Sequence, residues 1–208
     1  MSTPLYYDSI LVPENRKGKA TNLQESVTTH TTHEAIKIFE RACIRLKNVT
    51  FWHEVSGHLS AEFCIADNMG SIEQRTLQQD DYIRIDIPGP GTKEGDGYDW
   101  VKVVNIQEKT DQQKNYWLLA VTLAASNNPV SGNNEIAHFF EEGATSTFIL
   151  QLQNKTVSAS YYGRNEVPNT DVERLTDKVR NALVGMAAYV GISEIHWKAL
   201  LKGFLKEH

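Results

Sequence analysis

The spacing of apolar residues changes character twice along the chain. In "TTHEAIKIFERACIRLKN", residues 31–48, Ala35, Ile38, Phe39, Ala42, Cys43 and Leu46 recur at helical intervals. Thr31 stands three residues before Glu34, the spacing at which a threonine hydroxyl and a glutamate cap a helix start reciprocally. A helix over about 33–47 follows. From 49 to 165 the period shortens to two. "DYIRIDIP" sets Tyr82, Arg84 and Asp86 against Ile83, Ile85 and Ile87, the signature of a half-buried strand. "VTFWHEVSG", "HLSAEFCIAD", "YDWVKVVNIQ" and "NYWLLAVTLAA" are rich in aromatic and branched residues and read as further strands. "TSTFILQL" and "TVSASYYG", joined by "QNK", read as a hairpin. After Pro168 the helical period returns. Val172, Leu175, Val179, Ala182, Leu183, Met186 and Val190 form one stripe, with Thr170 and Glu173 as its capping box and Gly191 as its stop. Ser193 caps a second helix bearing Ile195, Trp197, Leu200, Leu201, Phe204 and Leu205.

Helices at both ends of a run of local strands predict an α+β fold: a central antiparallel sheet or small β-barrel, with one N-terminal helix and a C-terminal helical hairpin packed on it. Residues 1–30, polar and without period, read as an extended or partly disordered arm. Residues 31–208 form a single domain, mostly strands after one helix over 31–165 and the helical hairpin over 166–208.

Composition narrows the function classes. No run approaches the length of apolar sequence that a membrane span needs, and the first twenty residues lack a basic stretch followed by an apolar one. With Cys43 and Cys64 among apolar neighbours, the expectation is a cytoplasmic protein with reduced thiols and no membrane association. The net charge of −5 is concentrated in residues 48–165, which carry eight basic and fifteen acidic side chains. Phosphate affinity rests on clustered Lys and Arg, so no nucleic acid partner is expected.

Motif chemistry is excluded segment by segment. His53 and His58 in "HEVSGH" are five apart, about 500° around a helix, so their rings diverge by about 140° and cannot form a zinc-peptidase pair. His30 and His33 lack a third ligand. No G-x-S-x-G elbow is present, and both cysteines lie in apolar settings that suppress thiolate chemistry. Glu141 and Glu142 are adjacent in a turn, where carboxylates are ordinarily solvated, beside Phe139 and Phe140 as core. "IPGPGTKEGDGYDW", residues 87–100, resembles half of a phosphate loop, but a strand follows it where a helix N-terminus would have to meet the anion. Asp96 and Asp99 lack the regular oxygen spacing of a calcium loop. No metal and no cofactor are expected, and no segment carries the motif of a known family.

What remains is recognition. The glycine loop offers Lys93, Glu94, Tyr98 and Trp100 as contacts, and "YYGRNE" offers Tyr162, Arg164 and Asn165, where a planar guanidinium beside tyrosines suits a carboxylate or phosphate. The leading expectation is a non-catalytic binding or interaction module with a protein partner. One alternative is a small-molecule-binding protein or enzyme with a pocket at the barrel mouth lined by His53, His58, His138 and Arg164. Another is a structural subunit that self-associates through the C-terminal helices.

Overall fold

The computed structural model describes residues 11–57, 61–87, 93–132, 134–169 and 194–207. Strand β1 (Lys19–Thr28) leads to helix α1 (Thr32–Lys47), a 3-10 turn (Val49–Phe51) and the short helix α2 (Trp52–Ser56). Seven strands follow: β2 (Glu62–Ala66), β3 (Ile72–Glu73), β4 (Tyr82–Asp86), β5 (Asp99–Asp111), β6 (Tyr116–Ala125), β7 (Thr145–Gln153) and β8 (Thr156–Glu166). A helix, α3, occupies 194–205. All eight strands join one antiparallel sheet in the order β1-β8-β7-β6-β5-β4-β2-β3. The fold is α+β with a central antiparallel sheet, and among the described residues the sheet is open rather than a barrel, with β1 and β3 as its edges.

α1 begins as its sequence predicts. Thr31 Oγ1 accepts from the Glu34 N–H at 3.2 Å, and the Glu34 carboxylate accepts from the Thr31 N–H at 3.1 Å. Its stripe of Ala35, Ile38, Phe39, Ala42 and Leu46 is buried against the inner face of the sheet, together with Leu200, Leu201 and Phe204 of α3. Trp52 sits at the centre of this core, with Phe63 and Phe148 at ring separations of 5.2 and 5.1 Å. α3 is held at its C-terminal end by a residue from another helix: Arg45 Nη1 donates to the carbonyls of Gly203, Phe204 and Lys206 at 2.6–3.2 Å. A Cβ at Gly203 would run into the Val55 carbonyl, so only glycine lets α3 approach α2 this closely.

Two expectations about single segments need correction. The segment expected as an arm contains β1, because an edge strand shows its period in only a few positions: Thr21 is buried and Leu23 and Val27 pack on the core, while the opposite side is Thr, Asn, Gln and Ser. "VTFWHEVSG" is helical, not extended. Its aromatic and branched residues serve burial of Val49 and Trp52, and Gly57, at φ 66°, ends α2 in the left-handed region. Of the C-terminal hairpin, the second helix is present, whereas the stripe from Val172 to Val190 lies outside the described residues.

Candidate functional site

The inner face of the sheet is almost wholly apolar, so the polar groups buried on it stand out. They gather at one end, where β5 begins and β8 finishes. Register puts Ser146, Gly163 and Thr21 in one row across β7, β8 and β1, with Tyr161 in the next. Glu166 folds its carboxylate back over Gly163, where a Cβ would overlap it. Thr21 Oγ1 donates to Glu166 Oε2 at 2.8 Å, and the Tyr161 hydroxyl donates to Oε1 at 3.4 Å. Ser146 Oγ lies 3.1 Å from the same hydroxyl, completing a chain of three side chains that ends on the carboxylate. Burial raises the Glu166 pKa, opposed by Thr21, Lys19 and Tyr161. Burial also raises that of Tyr161. Trp197 of α3 stacks on the Tyr161 ring at 5.1 Å, and Lys19 with Glu194 and Lys198 with Glu25 tie α3 to β1.

Asp99, the first residue of β5, is the second buried carboxyl at this end. It pairs with Ile85, and alternation along β5 puts it on the inner face with Val101 and Val103. It is 5 % exposed. The Phe139 N–H donates to its carboxylate, while its Oδ1 has no hydrogen-bond partner among the described residues. Burial pushes its pKa up to about 7. The amide comes from the connection between β6 and β7. The Ala137 carbonyl accepts from the Trp100 N–H at 2.7 Å, Glu141 N–H donates to the Val167 carbonyl at 2.9 Å, and Asn169 N–H donates to the Phe139 carbonyl at 2.8 Å. Residues 137–141 are therefore clamped between the start of β5 and the chain leaving β8.

His138 lies in this clamp. Its Nδ1 accepts the Phe140 N–H at 3.0 Å, which fixes the neutral ring with its proton on Nε2. Burial pushes its pKa down to about 4. Its ring stacks on Phe139 at 4.2 Å, and Phe139 lies 4.3 Å from Phe140. Both phenylalanines are half-buried and keep part of their rings exposed.

The other residues singled out by sequence are dispersed. Lys93 is exposed on the turn over residues 93–97, and Glu94 is half-buried there. Trp100 is buried on the outer face against Ala66 and Ala137, with its indole N–H 3.4 Å from the Gly95 carbonyl. Tyr98 lies under the Arg84 guanidinium at 4.4 Å. Tyr162 and Arg164 are on the outer face of β8, three strands away from β5, on the order of 14 Å. Arg164 donates to the Thr21 and Gly163 carbonyls and to Asn22 Oδ1 at 2.7–3.0 Å, so its fork fastens β1. Asn165 fastens the segment before β1: its Oδ1 accepts from the Arg16 and Lys17 amides, and its N–H donates to Asn15 Oδ1 at 2.7 Å. His53 engages Thr50 and Glu54 within its own turn, and His58 lies outside the described residues.

Asp99 draws attention in the sequence only as a calcium-loop candidate, and Asp99, Ser146, Tyr161 and Glu166 are not among the site residues expected from it. One signal was present: alternation in "DWVKV" sets Asp99 on the side of Val101 and Val103, opposite Trp100 and Lys102.

A concavity lies on the outer face at the other end of the sheet. It is a half-open groove of about 500 Å³ between Leu11, Tyr116 and Leu118, flanked by Gln107 and Lys109. Cys43 offers no nucleophile, since burial pushes its pKa up to about 12. Among the described residues no three His, Cys, Asp or Glu side chains gather as a metal site, and no helix is long and apolar enough to cross a membrane.

No protein-family model matches the chain, and no curated protein matches its sequence. Among solved structures, that of Ara h 8.0201 is 13% identical, with 90% of this chain and 99% of that one covered and a TM-score of 0.34. The ginseng major latex-like protein 151 from Panax ginseng is 8% identical, with 91% and 100% covered and a TM-score of 0.34. Likenesses at this level carry no functional argument.

Proposed function

We propose that this chain is a binding protein that takes a small, largely apolar ligand at the β5 end of the inner face, between Asp99 and Phe139. The observation that supports the reading is Asp99 Oδ1, an acceptor buried on an apolar face and left without a partner among the described residues. Nearly every buried polar atom in a folded protein is hydrogen-bonded, and one that is not costs roughly 1–3 kcal/mol. Such a cost is tolerated where a ligand repays it. Binding pockets combine apolar walls with a few convergent polar groups, and the half-buried Phe139 and Phe140 rings, on the segment whose amide holds the carboxylate, fit that pattern.

A neutral apolar dye that brightens on leaving water, N-phenyl-1-naphthylamine, tests this. Saturable binding is expected, with one dye per chain by native mass spectrometry. Phe139→Ala should weaken it at least fivefold, whereas Gln107→Trp, which fills the outer groove, should leave it unchanged. Absence of saturation, or the opposite ranking of the two variants, sinks the reading.

A further inference from the structure

Resting on that reading, we infer that the ligand's head group is an organic cation, an ammonium carried on an aromatic or apolar body and received by the Asp99 carboxylate beside the Phe139 and Phe140 rings.

The inference starts from what Asp99 lacks. Its carboxylate receives a single backbone N–H, and no Lys or Arg pairs with it among the described residues. His138, in the same clamp, cannot supply a positive charge near neutral pH, because Nδ1 is occupied as an acceptor and burial keeps the ring neutral. Glu141 and Glu142 follow in the same connection. Lys17 pairs with Glu141 at 2.8 Å rather than with Asp99. Among the described residues, an ionised Asp99 is therefore one positive charge short.

The surroundings then select the kind of charge. An anionic head would meet the Asp99 carboxylate, in a segment with eight basic and fifteen acidic residues, and would be repelled. A hydrated metal ion wants several oxygen ligands, whereas this corner offers one carboxylate and aromatic rings. Aromatic faces attract ammonium groups through the negative potential of the ring, an interaction that strengthens as water is excluded. Phe139 itself supplies the amide that orients the carboxylate, and its half-buried ring lies 4.3 Å from that of Phe140 on the same segment. A neutral alcohol could donate one hydrogen bond to Oδ1, but it would leave the buried charge uncompensated.

Proton linkage supplies a second measurement. A cation that requires ionised Asp99 should lose affinity about tenfold per pH unit below the point where that group takes up its proton, about pH 7 in the free protein. Calorimetric titration of the full chain with 2-phenylethylamine, protonated throughout, and 2-phenylethanol, its neutral analogue, reads this out at pH 8 and pH 5. The amine is expected to bind at least tenfold tighter than the alcohol at pH 8, to lose that advantage at pH 5, and to lose it at pH 8 in Asp99→Asn. Equal binding of amine and alcohol at pH 8, or an amine affinity that ignores both pH and Asp99→Asn, overturns the cation assignment. Retained dye binding in that case leaves the proposed binding function standing, and absence of both dye and amine binding removes both readings.

Discussion

Two carboxyls are buried at the same end of one sheet, and they are treated in opposite ways. Glu166 accepts from the Thr21 and Tyr161 hydroxyls and has Lys19 nearby, and Gly163 leaves the space its head group occupies. Asp99 receives one amide and keeps one oxygen unanswered. The first arrangement is closed, with each polar atom used to join β1, β7 and β8. The second is open. Removing a satisfied buried carboxylate strands its partners and costs stability, whereas an unsatisfied one itself costs stability and is retained for another reason. Loss of Glu166 should therefore damage the fold, and loss of the Asp99 charge should improve it.

Glu166→Ala gives the largest effect. It strands the Thr21 and Tyr161 hydroxyls and empties the space over Gly163, at an expected cost of about 3 kcal/mol in urea unfolding. A cost under about 1 kcal/mol would mean that the closed cluster is no clasp. Asp99→Asn should act in the other direction, raising stability at pH 8 by about 2 kcal/mol, because the amide keeps the acceptor for Phe139 and abolishes the buried charge. Destabilisation at pH 8 would show that the carboxylate is paid for inside the fold.

The pH dependence sharpens this further, because Asp99 and His138 have shifts of opposite kind. Asp99 binds its proton more tightly folded than unfolded, so its contribution is most favourable below about pH 4 and is lost as pH rises to about 7. His138 binds its proton less tightly folded, so its contribution is complete above its ordinary pKa of 6.5 and is lost as pH falls toward about 4. Between these limits the two slopes cancel. Relative to the wild type, Asp99→Asn should lose stability as pH falls from 6.5 to 4. His138→Asn, which keeps an acceptor where Nδ1 stood, should lose it as pH rises from 4 to 7. Each slope approaches 1.4 kcal/mol per pH unit at its steepest, roughly one proton. Parallel profiles for both variants would refute the paired burial.

The contrast also explains what could be read from sequence. α1 was legible because its cap and its stripe are local, and the β7–β8 hairpin because both strands bury one face continuously around the Asn154 turn, at φ 59°. β1 was hidden because an edge strand needs few apolar residues, and α2 because Trp52 and Val49 report burial without reporting backbone conformation. His138 drew attention as a histidine, but its role depends on the Phe140 amide and on enclosure by β5 and residues 167–169, contacts far apart in sequence. Whether a carboxyl is answered or left open depends on which groups the topology delivers to it. Glu166 needed Thr21 from 145 positions earlier, and nothing near either residue announces that meeting.

The smallest effect falls at the outer end of the closed cluster. Ser146 Oγ lies 3.1 Å from the Tyr161 hydroxyl, and Ser146 is half-buried, so water can take its place where it could not replace Thr21 or Glu166. With the Tyr161 proton directed to Glu166, Ser146 donates, and Ser146→Ala removes one hydrogen bond without leaving a buried charge unpaired. The expected cost is about 0.5–1 kcal/mol, near the worth of one ordinary hydrogen bond. In Glu166→Ala the Tyr161 proton is free to turn toward Ser146, so the two substitutions should be non-additive in a double-mutant cycle. Strict additivity would show that the three side chains are neighbours rather than one chain, and the contrast with Asp99 would then rest on Thr21 alone.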